Sequence, residues 1–174
     1  ALKIWEKIIN FGKEFGLMPY GTETMHLLRA EKGYIIVGQD TDGSITPLDL
    51  GLDWMIGKSK KDFLGKRSLI RSDTVRKDRK QLVGILPTNK NEKLEEGQHI
   101  ILDKEIKTPT PMLGHITSCY QSPTLGHNFA LAVIKNGQSL IGTKAFASTP
   151  ELKTIEVEIV EPIFYDKENT KLAS

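Results

Sequence analysis

Apolar positions recur at helical spacing near the start of the chain and at strand spacing towards its end. Leu2, Trp5, Ile8, Ile9, Gly12 and Phe15 fall at helical spacing, with Lys3, Glu6, Lys7, Lys13 and Glu14 mostly elsewhere around the wheel. Gly16 is placed to stop that amphipathic helix in the left-handed conformation. Residues 24–30 and 34–37 then read as strand-like pieces, the second a short apolar run ending at Gly38. Thr41-Asp42-Gly43-Ser44 is a turn, and an apolar stretch over 48–56 is centred on Trp54. Beyond residue 80 the period becomes two. Residues 81–86, 99–102, 113–118, 129–134, 139–141 and 154–160 are short apolar or alternating runs. Turn signals at Pro87-Thr-Asn89, Glu96-Gly97, Asn136-Gly137 and Thr149-Pro150 separate them, which predicts a small antiparallel barrel or sandwich. The tail, 167–174, is expected to fray.

Between these regimes, residues 58–80 carry Lys58, Lys60, Lys61, Lys66, Arg67, Arg71, Arg76, Lys77, Arg79 and Lys80 against Asp62, Asp73 and Asp78. A short helix is expected over 65–71, followed by a solvated linker. The chain therefore divides near residue 77. Residues 1–76 hold α and β pieces but too few strands to close a sheet, and read as one end of a larger domain. Residues 77–174 form a second unit.

With 174 residues there is room for one good core or two small ones. A net charge of +2 gives no argument for nucleic acid, and the basic stretch lacks the interleaved aromatic side chains that stack bases. The single cysteine, Cys119, excludes an internal disulfide and a Cys-based zinc cage, and fits a reducing compartment; a cytoplasmic location is the expectation. No apolar run approaches the ~20 residues that cross a bilayer, and the first residues lack the form of a secretory signal. The chain opens without Met, inside a predicted helix, so a fragment or processed product is expected.

Glu31 is the most informative single residue. It lies at the end of a strand-like run beside Gly33 and Gly38, with an apolar floor. A carboxylate so placed can accept two parallel hydrogen bonds from a flat amidine-like edge, such as that of a pterin. Spacing alone favours an exposed carboxylate paired with Arg29 or Lys32. His115 and Cys119 lie on one face of the same predicted strand, but no orienting carboxylate is near them in sequence, so both are assigned to packing. His26, His99 and His127 are scattered, and no metal is assigned.

Two blocks carry a family resemblance. Leu28-Arg-Ala-Glu-Lys-Gly-Tyr, leading to Gly38-Gln-Asp-Thr-Asp-Gly, contains Arg-x-Glu-x-Gly at Arg29, Glu31 and Gly33. Gly114-His-Ile-Thr-Ser, then Ser122-Pro-Thr-Leu and an Ala-Leu-Ala strand, is the second; a strand, a Ser-Pro turn of helix and a return strand are expected there. Both resemble the folate-binding aminomethyltransferase (glycine-cleavage T-protein) family, and Gly57 to Leu69 and Pro162-Ile-Phe-Tyr-Asp166 resemble its sarcosine oxidase alpha branch. The resemblance implies an α+β chain: the incomplete C-terminal end of a folate-binding α/β domain (1–76), followed by a small antiparallel β-barrel (77–174). It implies tetrahydrofolate as cofactor, with Glu31 holding the pterin, Gly33 keeping the backbone slim, Tyr34 forming a wall, and Lys60 and Tyr165 as further contacts. Lys60 stands where T-proteins carry an arginine, keeping the charge without the bidentate fork. No catalytic residue is implied within this chain, which alone is expected to be inactive. FAD or FMN and NAD would belong to other parts of a parent complex, since no Gly-x-Gly-x-x-Gly occurs here. Implied partners are the other sarcosine oxidase subunits, without nucleic acid or membrane. The implied reaction is capture of the carbon released from sarcosine as 5,10-methylenetetrahydrofolate. The alternatives are a T-protein-like aminomethyltransferase or demethylase, and a non-catalytic subunit-docking module.

Overall fold

A computed structural model describes residues 1–171. Two helices open the chain, α1 (Leu2–Gly12) and α2 (Thr22–Glu31), and six strands follow: β1 (Lys80–Pro87), β2 (His99–Ile101), β3 (Met112–Ser122), β4 (His127–Lys135), β5 (Lys144–Ser148) and β6 (Thr154–Val160). All neighbouring strands are antiparallel and close a barrel in the order β1-β4-β3-β2-β5-β6, with β6 returning to β1. Among the described residues no helix is long and apolar enough to cross a membrane.

Alternation explains the barrel. Val83, Ile85, Ile100, Ile116, Ala130, Ala132, Ile134, Ala145, Ala147, Val157 and Ile159 form one buried cluster. Side chains from six strands meet only in a lumen, so these are the inward positions. The intervening residues Leu82, Phe129, Leu131 and Val133 are also buried, in a second cluster with Ala30. β1 and β4 are thus covered on both faces, the outer one by the front of the chain. Gly114 is required where β3 meets β4, because a Cβ there would stand 1.9 Å from the Val133 carbonyl oxygen.

Three expectations about strands are corrected. Residues 24–30 are helical: α2 uses good helix formers and turns a narrow stripe, Leu27 and Ala30, onto the barrel. Residues 34–37 form no strand, because Asp40 competes for their backbone: the Ile36 amide donates to Asp40 Oδ2 at 2.8 Å and the Asp40 amide to the Ile36 carbonyl at 2.9 Å. The fifth strand is Lys144–Ser148 and not 139–141. Asn136 adopts φ 54° and starts a 3₁₀ turn, Gly137–Leu140, in which Gly137 sits against β1.

The helical expectations were closer, except at the Ser-Pro segment. α1 and Gly16, at φ 68°, match the predicted amphipathic helix and stop, and the helix expected over 65–71 is a 3₁₀ turn, Lys66–Ile70. The Ser-Pro segment is a tight β3–β4 turn without a helix; Gly126, at φ 75°, donates its amide to the Ser122 carbonyl at 2.9 Å. Within the tail expected to fray, Thr170 donates to Asp166 at 2.9 Å, Lys171 to the Tyr165 hydroxyl at 2.7 Å, and Lys167 pairs with Glu161. Residues 172–174 of that expectation lie outside the described residues.

Candidate functional site

A β-bulge sets the geometry of the seam between the front of the chain and the barrel. β3 pairs Ile116 with Ala132 and Ser118 with Leu131, leaving Thr117 as the extra residue. Two successive hydroxyls, Thr117 and Ser118, therefore reach the outer face together. The same bulge separates His115 from Cys119. His115 opposes Val133 of the outer cluster, whereas Cys119 opposes Ala130 and packs with the lumen. The expectation that both lie on one face is thereby overturned. Burial raises the Cys119 thiol pKa to about 11, with Glu96 adding to the shift, so at neutral pH it is a protonated packing group. Burial lowers the His115 pKa, helped by Lys80 and His99.

Onto these hydroxyls docks Asp40, 1% exposed. Its Oδ1 accepts from Thr117 at 2.6 Å and Ser118 at 2.7 Å, and its Oδ2 accepts from the Arg29 guanidinium at 2.5 Å. Arg29 also donates to the Ser118 hydroxyl at 2.8 Å and to the Tyr120 hydroxyl at 3.2 Å. Among the described residues, Arg29 Nε is buried without a hydrogen-bond partner. Gln39 completes the cluster, donating to Ser118 and Glu96 at 3.1 Å. A second ion pair fastens the start of β1. Arg79 grips Asp49 through Nε–Oδ1 at 2.9 Å and Nη2–Oδ2 at 2.7 Å, while the Thr46 hydroxyl and amide each donate to Asp49 at 2.8 Å. Burial works to raise the Asp49 pKa, but the bonds from Arg79 and Thr46 outweigh it and hold the carboxyl below its ordinary value.

Glu31 lies at the C-terminal end of α2, not at the end of a strand. It is 2% exposed, so the exposed pairing with Arg29 or Lys32 is excluded. Arg29 belongs to Asp40, and Lys32 donates to the Asp166 carbonyl at 2.6 Å and to Asn169 at 2.8 Å. Glu31 Oε1 accepts the Ser122 hydroxyl at 2.6 Å; among the described residues nothing donates to Oε2. The Glu31 carbonyl accepts the amides of Phe164 and Tyr165 at 2.9 and 3.0 Å, tying α2 to the segment after β6.

Gly33 ends α2 as a left-handed cap at φ 72°: its amide donates to the Ala30 carbonyl and that of Tyr34 to the Arg29 carbonyl. A Cβ on Gly33 would stand 2.5 Å from the Pro162 carbonyl oxygen, so the close approach there is to backbone of this chain. Gly33 and the exposed Tyr34 line a cleft of about 690 Å³ floored by Leu50, Leu52, Trp54 and Ile163. Lys60 lines the adjoining hollow, which shares Leu50 and Leu52 with the first. Tyr165 is bound to Lys171, and neither it nor Glu31 lines either hollow. The structure thus brings Glu31, Gly33 and Tyr34 together at one helix end and keeps Lys60 apart. Arg29, Asp40, Ser118 and Ser122 escaped the reading of single residues. The only sequence signal for them was that they stand inside the two motif blocks.

Residues 1–60 match the model of the GCVT N-terminal domain, and residues 80–166 that of the glycine cleavage T-protein C-terminal barrel domain. The sarcosine oxidase subunit alpha of Corynebacterium sp. (strain P-1) is 47% identical over 98% of this chain and 18% of that protein. That of Rhizobium meliloti (strain 1021) is 34% identical over 97% of this chain and 17% of that protein. The aminomethyltransferase of Clostridium botulinum (strain Kyoto / Type A2) is 33% identical over 96% of this chain and 43% of that protein. The chain thus spans less than half the length of each of these relatives. The crystal structure of glycine cleavage system aminomethyltransferase T from Bartonella henselae superimposes with a TM-score of 0.67 at 21% identity, covering 82% of this chain and 38% of that one.

Proposed function

Because the chain belongs to the glycine-cleavage T-protein family, we propose that it forms one side of a tetrahydrofolate site in a sarcosine oxidase alpha-type protein. In this reading residues 1–76 complete a folate-binding domain and 77–174 form its C-terminal barrel domain. The observation that carries it is Glu31: a carboxylate 2% exposed, hydrogen-bonded through one oxygen only among the described residues, within the Arg-x-Glu-x-Gly motif whose glutamate the family resemblance assigns to the pterin. Oε2 has no donor among the described residues and is not among the fully buried unpartnered atoms, so its acceptor capacity is left for a flat donor edge. The higher identity to the Corynebacterium sarcosine oxidase alpha subunit, 47% against 33% for the aminomethyltransferase, supports this branch over a T-protein.

The division of labour follows from the residues. Glu31 orients the pterin edge, Gly33 and Tyr34 border the adjoining cleft, and Lys60 offers positive charge to the folate carboxylates. Tyr165 contributes through its amide, which holds α2 in place. Tetrahydrofolate, when bound, supplies the nitrogens that take up the carbon released from sarcosine, giving 5,10-methylenetetrahydrofolate. Amine oxidation, with its flavin and NAD, belongs to other parts of the parent complex, whose further subunits are the partners in a cytoplasmic setting. The protein's part is positioning.

Titrating tetrahydrofolate into the full-length protein tests this. Saturable binding is expected, weakened about tenfold or more by Glu31→Gln, which replaces a charge-assisted acceptor by a neutral one. Equal affinity in both forms would overturn the assignment.

A further inference from the structure

The Ser-Pro signature of the β3–β4 turn is left without a task by the reading above, although it touches the proposed pterin anchor. We propose that Ser122 is a positioning residue for folate: its hydroxyl fixes the orientation of the Glu31 carboxylate, so that the barrel sets the pterin selectivity of the neighbouring domain. This rests on Glu31 being the pterin anchor and adds to it the residue that aims it.

Three structural features support the inference. Ser122 is 1% exposed and Glu31 2%, so their contact at 2.6 Å is shielded from water, where a hydrogen bond to a charged group is strongest. The direction of that bond is set by the turn. The Leu125 amide donates to Ser122 Oγ at 2.9 Å, which occupies the acceptor side of the hydroxyl and leaves its proton for Glu31. The turn is itself held, by the Gly126 amide on the Ser122 carbonyl and by Gly126 at φ 75°. A rigid hairpin of the barrel therefore presents one aimed donor to one oxygen of Glu31, across 91 residues of sequence. Pinning Oε1 fixes the plane of the carboxylate about its last torsion, which is otherwise broad. Oε2 is then presented in one direction. A donor edge that needs two aligned contacts is read well by a fixed carboxylate and poorly by a turning one.

The experiment compares the affinity of full-length protein for tetrahydrofolate and for its 2-desamino analogue, which lacks one of the two edge donors. The unsubstituted protein is expected to prefer tetrahydrofolate by about tenfold or more, since a site built for a donor rejects a ligand without it. Ser122→Ala should shrink that preference to about threefold or less, and Ser122→Thr, which keeps the hydroxyl, should restore it. Ser122→Cys, near in size but a weak donor, serves if the alanine variant fails to fold, and should behave like alanine. A purely structural role for Ser122 would weaken both ligands equally and leave the ratio unchanged, which would overturn the proposal. An unaltered ratio in Ser122→Ala or Ser122→Cys alongside a collapsed one in Glu31→Gln refutes the role of Ser122 alone. No preference in the unsubstituted protein and no effect of Glu31→Gln refutes the pterin anchor and this inference with it.

Discussion

The front of the chain and the barrel are held together by different physics. The barrel is closed, and its lumen is filled by aliphatic side chains from six strands. The front leaves Leu2, Trp5, Phe11, Trp54 and Leu64 exposed, while three of its most buried side chains are the carboxylates Glu31, Asp40 and Asp49. It is fastened to the barrel by aimed polar contacts more than by an apolar core of its own. A core tolerates small rearrangements; a buried charge is stable only while its partners stay in place. The barrel is therefore the frame, and the front takes its shape from the hydroxyls the frame presents.

The comparison breaks most sharply at Asp40. Asp40→Ala removes the carboxylate shared by the nine-tenths buried Arg29 guanidinium and two hydroxyls, an expected loss of about 3–5 kcal/mol. Amide hydrogen exchange should localise it to residues 29–40 with the barrel amides still protected; uniform loss of protection would show the two regions to be one cooperative unit. Next comes a matched pair of truncations. Ile134→Ala, wholly buried in the lumen, is expected to cost about 2–5 kcal/mol in denaturant unfolding. Leu64→Ala, fully exposed, is expected to change stability by less than about 0.5 kcal/mol.

The smallest effect is a slope with pH. The folded pKa of Asp49 lies below its ordinary value, so its contribution is fully present above about pH 4 and is lost as pH falls through the folded value. An acid titration followed at the 44–49 loop should show that loss, and Asp49→Asn should flatten it. An unchanged acid limb in the variant would remove Asp49 from the account.

The sequence alone determined the elements whose signals are local. Five of the six strands follow from short apolar or alternating runs set between turn signals, and α1 from its amphipathic spacing and Gly16 stop. It also placed the two motif blocks, residues 28–43 and 114–127. The fifth strand was missed because its inward residues, Ala145 and Ala147, are small enough to leave little hydrophobic signal. Tertiary structure decided the rest. Whether 24–30 became helix depended on the barrel surface under Leu27 and Ala30, and which way β3 faced Asp40 depended on one extra residue at Thr117. The bonds from Arg29 to Ser118 and from Ser122 to Glu31 join residues 89 and 91 positions apart. A pairing of that range leaves no periodicity in the chain, since only closure of the barrel and docking of α2 bring its partners within hydrogen-bonding distance.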